Sequence, residues 1–211
     1  MNTLRPLLFS FLILVYVCGS IGMILNPAFF LPFTPISLLF TCLVYLLYQP
    51  YTKRHFLLAF SGVALLGFLS EWIGVRTGLI FGEYHYGGSL GPKIDGVPLL
   101  ISLNWALLVS AGLQSVSRVL THPIYTPLMA SFLITALDLL MEQSATRLDY
   151  WFFKGGMAGT HNYLGWFLIS FLAAFLFHKP LLKGNSRIAI YILLLQVFFF
   201  GTIFLFNRLP L

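Results

Sequence analysis

The chain has 211 residues, of which 59% are hydrophobic and only 9% charged, with a formal net charge of +6. A soluble domain is nearer a quarter charged, so the composition excludes a soluble globular fold and points to an all-α integral membrane protein. Its length suits one domain, residues 1–211. The basic residues sit mainly between apolar runs, where they mark cytoplasmic loops; they do not suggest a nucleic-acid surface.

Apolar runs at roughly 6–25, 33–50, 56–74, 97–119, 123–142, 162–178 and 188–207 each approach the ~20 residues that a helix needs to cross the hydrocarbon layer. The first run follows Arg5 and has the look of a signal peptide, but it is long and lacks a small-x-small cleavage site, so retention as a helix is expected. Asn26-Pro27 and Pro32 predict a short turn. Lys53, Arg54 and His55 form a basic loop, and Pro98 fits a first helical turn. Cys18 and Cys42 both lie within apolar runs and imply neither a disulfide nor a metal site.

Seven spans put the termini on opposite sides. The N-terminal side collects Arg5, Lys53, Arg54, Arg118, Lys179, Lys183 and Arg187, against Arg76, Lys93, Arg147, Lys154 and Arg208, which favours a cytoplasmic N-terminus. The acids are more lopsided. Glu71, Glu83, Asp95, Asp138, Glu142 and Asp149 all fall on the second side. The orientation rule ignores acids, so a functional site at the non-cytoplasmic end of the bundle is the simplest explanation.

Within the fifth span, Ser131, Thr135, Asp138 and Glu142 recur at spacings of four, three and four and share one helical face. Intramembrane acids face the bundle interior or a wet cavity, because an ionised acid at a helix centre costs about 2.5–3.5 kcal/mol. Two carboxyls one turn apart repel each other when both are charged. A neutral acid beside a carboxylate is a general acid–base pair. The competing reading is that they pair with Arg76 or Arg147 and only hold helices together. Glu71 sits in the last turn of the third span, where its charge opposes the helix dipole, so a specific partner is expected.

The segment 74–96 is too polar to span and too aromatic for a plain linker. Its glycines allow tight turns, and Phe81, Tyr84 and Tyr86 give it an amphipathic surface. This predicts a Gly/aromatic-rich capping or re-entrant loop between the third and fourth spans. Gly88-x-x-Gly91 lacks the strand and helix that a phosphate loop requires. Trp72, Asn104, Trp105, Asn162 and Trp166 fall near the same end. These three Trp and Trp151, the four of the chain, fit an interfacial belt, and their faces would also stabilise a cation. His85 and His161 are isolated, unlike the His clusters of di-iron oxygenases.

The chain resembles a family of small integral membrane proteins of carotenoid biosynthesis whose characterised members are carotenoid 1,2-hydratases of the γ-carotene and bisanhydrobacterioruberin type. The resemblance rests on Glu71-x-x-Gly74-Val75-x-Thr77-Gly78, Phe81-Gly82-x-Tyr84-x-Tyr86, Leu90-Gly91-Pro92 and Gly96-Val97-Pro98 leading to Trp105. It continues through Asp138-x-x-x-Glu142, Leu148-Asp149-x-Trp151 and Asn162-Tyr163-x-Gly165-Trp166. Gln143 and Gly159-Thr160-His161 stand where the family pattern leads one to expect prolines, and both affect the loop between the fifth and sixth spans.

The resemblance implies addition of water to the terminal C1=C2 bond of an acyclic ψ end group, giving a tertiary alcohol, with no cofactor and no metal. It implies a carotenoid and water as partners in a bilayer, the bacterial inner membrane in particular. The residue-level reading accommodates that chemistry, with Asp138 and Glu142 as acid–base pair and Glu71 assisting. The substrate-facing set is Trp72, Phe81, Tyr84, Tyr86, Asn104, Trp105, Asn162 and Trp166. Three other functions compete. They are transport of ions or protons through the acidic cluster, carotenoid or lipid binding with the acids paired to Arg, and prenyl transfer with Mg²⁺ held by Asp138 and Glu142.

Overall fold

The computed structural model describes residues 4–49 and 54–207. Among these, seven helices are long and apolar enough to cross a membrane. In chain order they are α1 (Leu4–Leu25), a helix broken near its start into α2 (Pro27–Phe30), a 3₁₀ turn at Leu31–Phe33 and α3 (Thr34–Leu47), then α4 (Arg54–Thr77), α5 (Leu99–Val116), α6 (Tyr125–Ala145), α7 (Thr160–Leu182) and α8 (Ser186–Asn207). Lys53 of the predicted basic loop and Arg208 lie outside the described residues.

The bundle is built around α5. Of its central residues 72% are buried, against 28% in α1, and it touches α3, α4, α6, α7 and α8. Ala106, Ser110, Ala111 and Gly112 give it a narrow girth, which lets neighbouring backbones approach where no hydrophobic force separates helix from lipid. The outer helices keep their Leu and Phe side chains outward, as lipid contact allows.

Three local expectations are corrected. The stretch from Asn26 to Pro32 is helical, because the Asn26 side chain caps it by accepting from the Phe29 N–H, and prolines fall at first-turn positions where no N–H is needed. Helix α4 continues through Thr77, so Glu71 lies well inside it and not in its last turn. Pro98 is extended and precedes α5, with its carbonyl side entering the helix.

The segment between α4 and α5 forms a cap. Strand β1 (Tyr84–Tyr86) pairs antiparallel with β4 (Trp151–Phe153), which comes from the loop after α6. Strands β2 (Lys93–Ile94) and β3 (Val97–Pro98) form a hairpin. Its two-residue turn is Asp95-Gly96, both with positive φ (53° and 84°), the type I′ geometry that matches strand twist. The cap is fastened at both edges. Lys154 pairs with Glu83 at 2.6 Å. At the other edge the Asp149 carboxylate accepts from Gly88 N at 2.7 Å and Ser89 Oγ at 3.1 Å.

Candidate active site

The alternation of β1 decides which side chains reach the bundle. Tyr84 and Tyr86 point to one side and His85 to the other, where its ring stacks on Phe152 at 5.3 Å. Both tyrosine hydroxyls donate to Glu71 Oε2, Tyr86 at 2.7 Å. The Trp105 indole N–H donates to Glu71 Oε1 at 2.8 Å. Glu71, 2% exposed, thus receives three donors from the cap and from α5. Burial first, then the Glu71 charge, pushes both tyrosine hydroxyls far above their ordinary value, so they remain O–H donors.

A second cluster forms one helix away. Asp138 and Glu142 lie one turn apart on α6, and the Asn162 side chain from α7 donates to both, to Asp138 Oδ2 at 3.0 Å and Glu142 Oε1 at 3.3 Å. Trp151 of β4 donates its indole N–H to Glu142 Oε1 at 3.0 Å. Asp138 is fully buried, and its Oδ1 has no hydrogen-bond partner among the described residues. Ser131 on the same face is buried, and Thr135 and Glu142 are partly so.

Glu71 and Glu142 open on one small pocket, also lined by Phe81, Tyr84, Tyr86 and Trp166. Its volume is about 10 Å³, the room for one water. Beside it the Trp105 and Trp166 rings stack at 4.1 Å and 14°, and Phe81 leans on both at 6.2 and 6.4 Å. The site is therefore three carboxyls enclosed by indole and phenol rings. Gly165 brings α7 against the cap. A Cβ there would strike the Ile80 carbonyl, so only glycine permits this approach.

The structure brings together Glu71, Asp138, Glu142, Phe81, Tyr84, Tyr86, Trp105, Asn162 and Trp166. Two of the residues expected to face substrate lie outside this cluster. Trp72 lies on the outer side of α4, donates to Asp95 Oδ2 at 3.0 Å and carries the Arg76 guanidinium over its ring at 4.6 Å. Arg76 pairs with Asp95 at 2.7 Å and not with the acids of α6. Asn104 lines a separate, larger cavity. Trp151 was missed as a site residue. Its signal was the Leu148-Asp149-x-Trp151 motif, but only strand pairing with β1 turns its ring toward Glu142. Gly88 faces the Asp149 carboxylate, an arrangement opposite to phosphate binding.

Fold and site together define a seven-helix membrane protein with a carboxyl-rich, aromatic-walled site under a strand cap. The family model for carotenoid biosynthesis proteins matches residues 33–211, and the chain belongs to that family. It is 28% identical over 141 residues to the bisanhydrobacterioruberin hydratase of Haloarcula japonica, a match covering 61% of this chain and 46% of that protein. The aligned part is thus about half the length of that relative. No solved structure matches the chain.

Proposed function

We propose that this protein is a carotenoid hydratase, adding water across the terminal C1=C2 bond of an acyclic ψ end group by acid catalysis. The observation that carries the reading is the pairing of Asp138 with Glu142 through Asn162, beside a one-water pocket that Glu142 shares with Glu71. A hydratase of a carotenoid among the relatives supports the same class of reaction.

In this reading the Asp138–Glu142 pair holds one proton between them, and Glu142, which opens on the pocket, delivers it. The alkene π electrons take the proton at C2 and leave a tertiary cation at C1. Aromatic faces and the Glu71 carboxyl, held by its three donors, stabilise that cation. Water attacks C1, and the resulting oxonium returns its proton to the carboxyl cluster. The balance is one water added, with no oxidant, reductant or metal consumed. Residues 1–211 act as one domain in a bacterial inner membrane, with the N-terminus cytoplasmic and the carboxyl site at the opposite face.

The experiment is pigment analysis in a host that accumulates lycopene or γ-carotene. The expected product is heavier by one water, and its hydroxyl resists ordinary acetylation, as a tertiary alcohol does. Unchanged pigments beside verified membrane insertion, across several acyclic carotenoids, would overturn the reading.

A further inference from the structure

A second cavity, of about 100 Å³, lies between α1, α3, α5 and α8. Its wall is mostly apolar, with Met23, Leu38 and Phe199 among its lining, and it adjoins the carboxyl pocket, because Ile101 and Trp151 line both. Apolar cavities of this order take small hydrocarbons. The carboxyl pocket, with room for one water, cannot hold a branched alkene terminus.

Two features of this wall are unlike a greasy packing defect. Asn104 of α5 is 5% exposed and Gln196 of α8 is 6% exposed. Both line the cavity, and neither amide has a hydrogen-bond partner among the described residues. An amide that opens on an apolar space with no partner there is disfavoured. Two of them facing one apolar cavity point to an occupant that is hydrocarbon in bulk and brings an oxygen.

We propose that this cavity receives the carotenoid end group, and that Asn104 and Gln196 hold the water that attacks C1. The inference rests on the hydratase reading and adds where the two reactants lie. The alkene lies against the Ile101–Trp151 wall. The proton reaches C2 from Glu142 at the Ile101–Trp151 boundary between the two pockets, the water reaches C1 from the amide side, and the oxonium proton passes through the water of the carboxyl pocket to the carboxylate that Glu142 left behind. Asn104 and Gln196 are positioning residues for the nucleophile and take no proton themselves.

The test uses the full-length protein in membranes with lycopene, scored for pigment retained on purification, hydrated product, and deuterium gained by recovered lycopene in D₂O. Gly19→Leu plugs the cavity from α1, where a Cβ meets nothing nearer than Phe199 Cε2 at 4.0 Å. Ser37→Phe plugs it from α3. Either plug should cut retained pigment and product about tenfold, whereas Asp138→Asn should lose product and keep pigment. Gln196→Leu and Asn104→Leu should keep pigment, lose about tenfold in product, and return lycopene labelled at C2, because the cation forms and is not captured. Gln196→Asn should recover part of the product.

Plugs that insert and still bind and hydrate at wild-type levels would overturn the cavity while leaving the hydratase reading intact. Should the plugs fail to insert, the amide variants decide: equal loss of labelling and product would reduce Asn104 and Gln196 to structural residues. If wild type retains pigment that the plugs lose, yet never hydrates it, the hydratase reading fails and the binding cavity stands.

Discussion

The two ends of the bundle both bury polar side chains, with opposite chemistry. At the capped end three carboxyls face one another across aromatic rings, and Asp138 Oδ1 is left without a partner among the described residues. At the other end neutral amides join backbone to backbone. Gln114 Nε2 donates to the Leu181 carbonyl at 3.0 Å and to Gln49 Oε1 at 3.3 Å, and Gln49 Oε1 also accepts from Asn185 N at 2.9 Å. This second cluster ties α3, α5 and the α7–α8 turn together. Neutral amides bonded to main chain serve packing, since they meet main-chain needs that lipid cannot meet. Carboxyls gathered together oppose packing when charged, which is the contrast behind the proposed chemical role of the capped end.

The contrast breaks if the capped end proves structural. Asp138→Asn or Glu142→Gln should reduce hydration at least about 100-fold, the range for losing a general acid or base, with insertion and thermal stability near wild type. A stable variant of each with full turnover would end the assignment. Next in size, Gly165→Val should force Ile80 and Phe81 away from α7 and open the cap. Lower yield in the membrane and rapid proteolysis near residues 78–98 are expected, and turnover should fall with them. An unchanged digestion pattern would show that the close approach is dispensable.

The opposite end should respond in the other currency. Gln114→Leu removes a donor to Leu181 and should cost about 1–3 kcal/mol of stability in a thermal melt. Turnover per inserted molecule should stay unchanged, and a matching loss of turnover would erase the distinction between the two ends.

The smallest effect belongs to the exposed hairpin. The Trp72 N–H, and then Arg76, hold the Asp95 carboxyl below its ordinary 3.8. A carboxylate lowered in the folded state contributes above its unfolded value and loses that contribution as pH falls through the folded one. The Trp72–Asp95–Arg76 contact should therefore persist at neutral pH and release only below the ordinary range. Trp fluorescence followed into acid should show a small step that Asp95→Asn lacks.

Much of the frame was legible. Seven apolar runs of membrane length identified the seven helices, because in lipid a continuous apolar helix is the only local solution for an isolated segment. The grouping of every acid on one side of the apolar runs anticipated that Glu71, Asp138 and Glu142 would meet. Other features were missed although a signal existed. Asp95-Gly96 between Ile94 and Val97 is a hairpin sequence, yet two-residue strands carry too little alternation to be seen. The helical run from Pro27 hid behind its prolines. Trp72 shares the acid-bearing end and the cation-stabilising ring of the other Trp, but its position on α4 turns it to Asp95.

What the sequence determined by itself is what depends on composition and local period: the membrane class, the seven spans, the shared face of Asp138 and Glu142, and the end at which polar chemistry collects. Tertiary structure decided the partners. The β1–β4 pairing joins segments more than sixty residues apart and so sets the Tyr84 and Tyr86 hydroxyls on Glu71 and the Trp151 indole on Glu142. Helices α3 and α8 pack on α5, and α1 packs on both of them, which encloses the cavity with Asn104 and Gln196 in its wall. Such contacts depend on chain crossings between distant helices, and a period read along one helix shows which residues share a face without showing what that face meets.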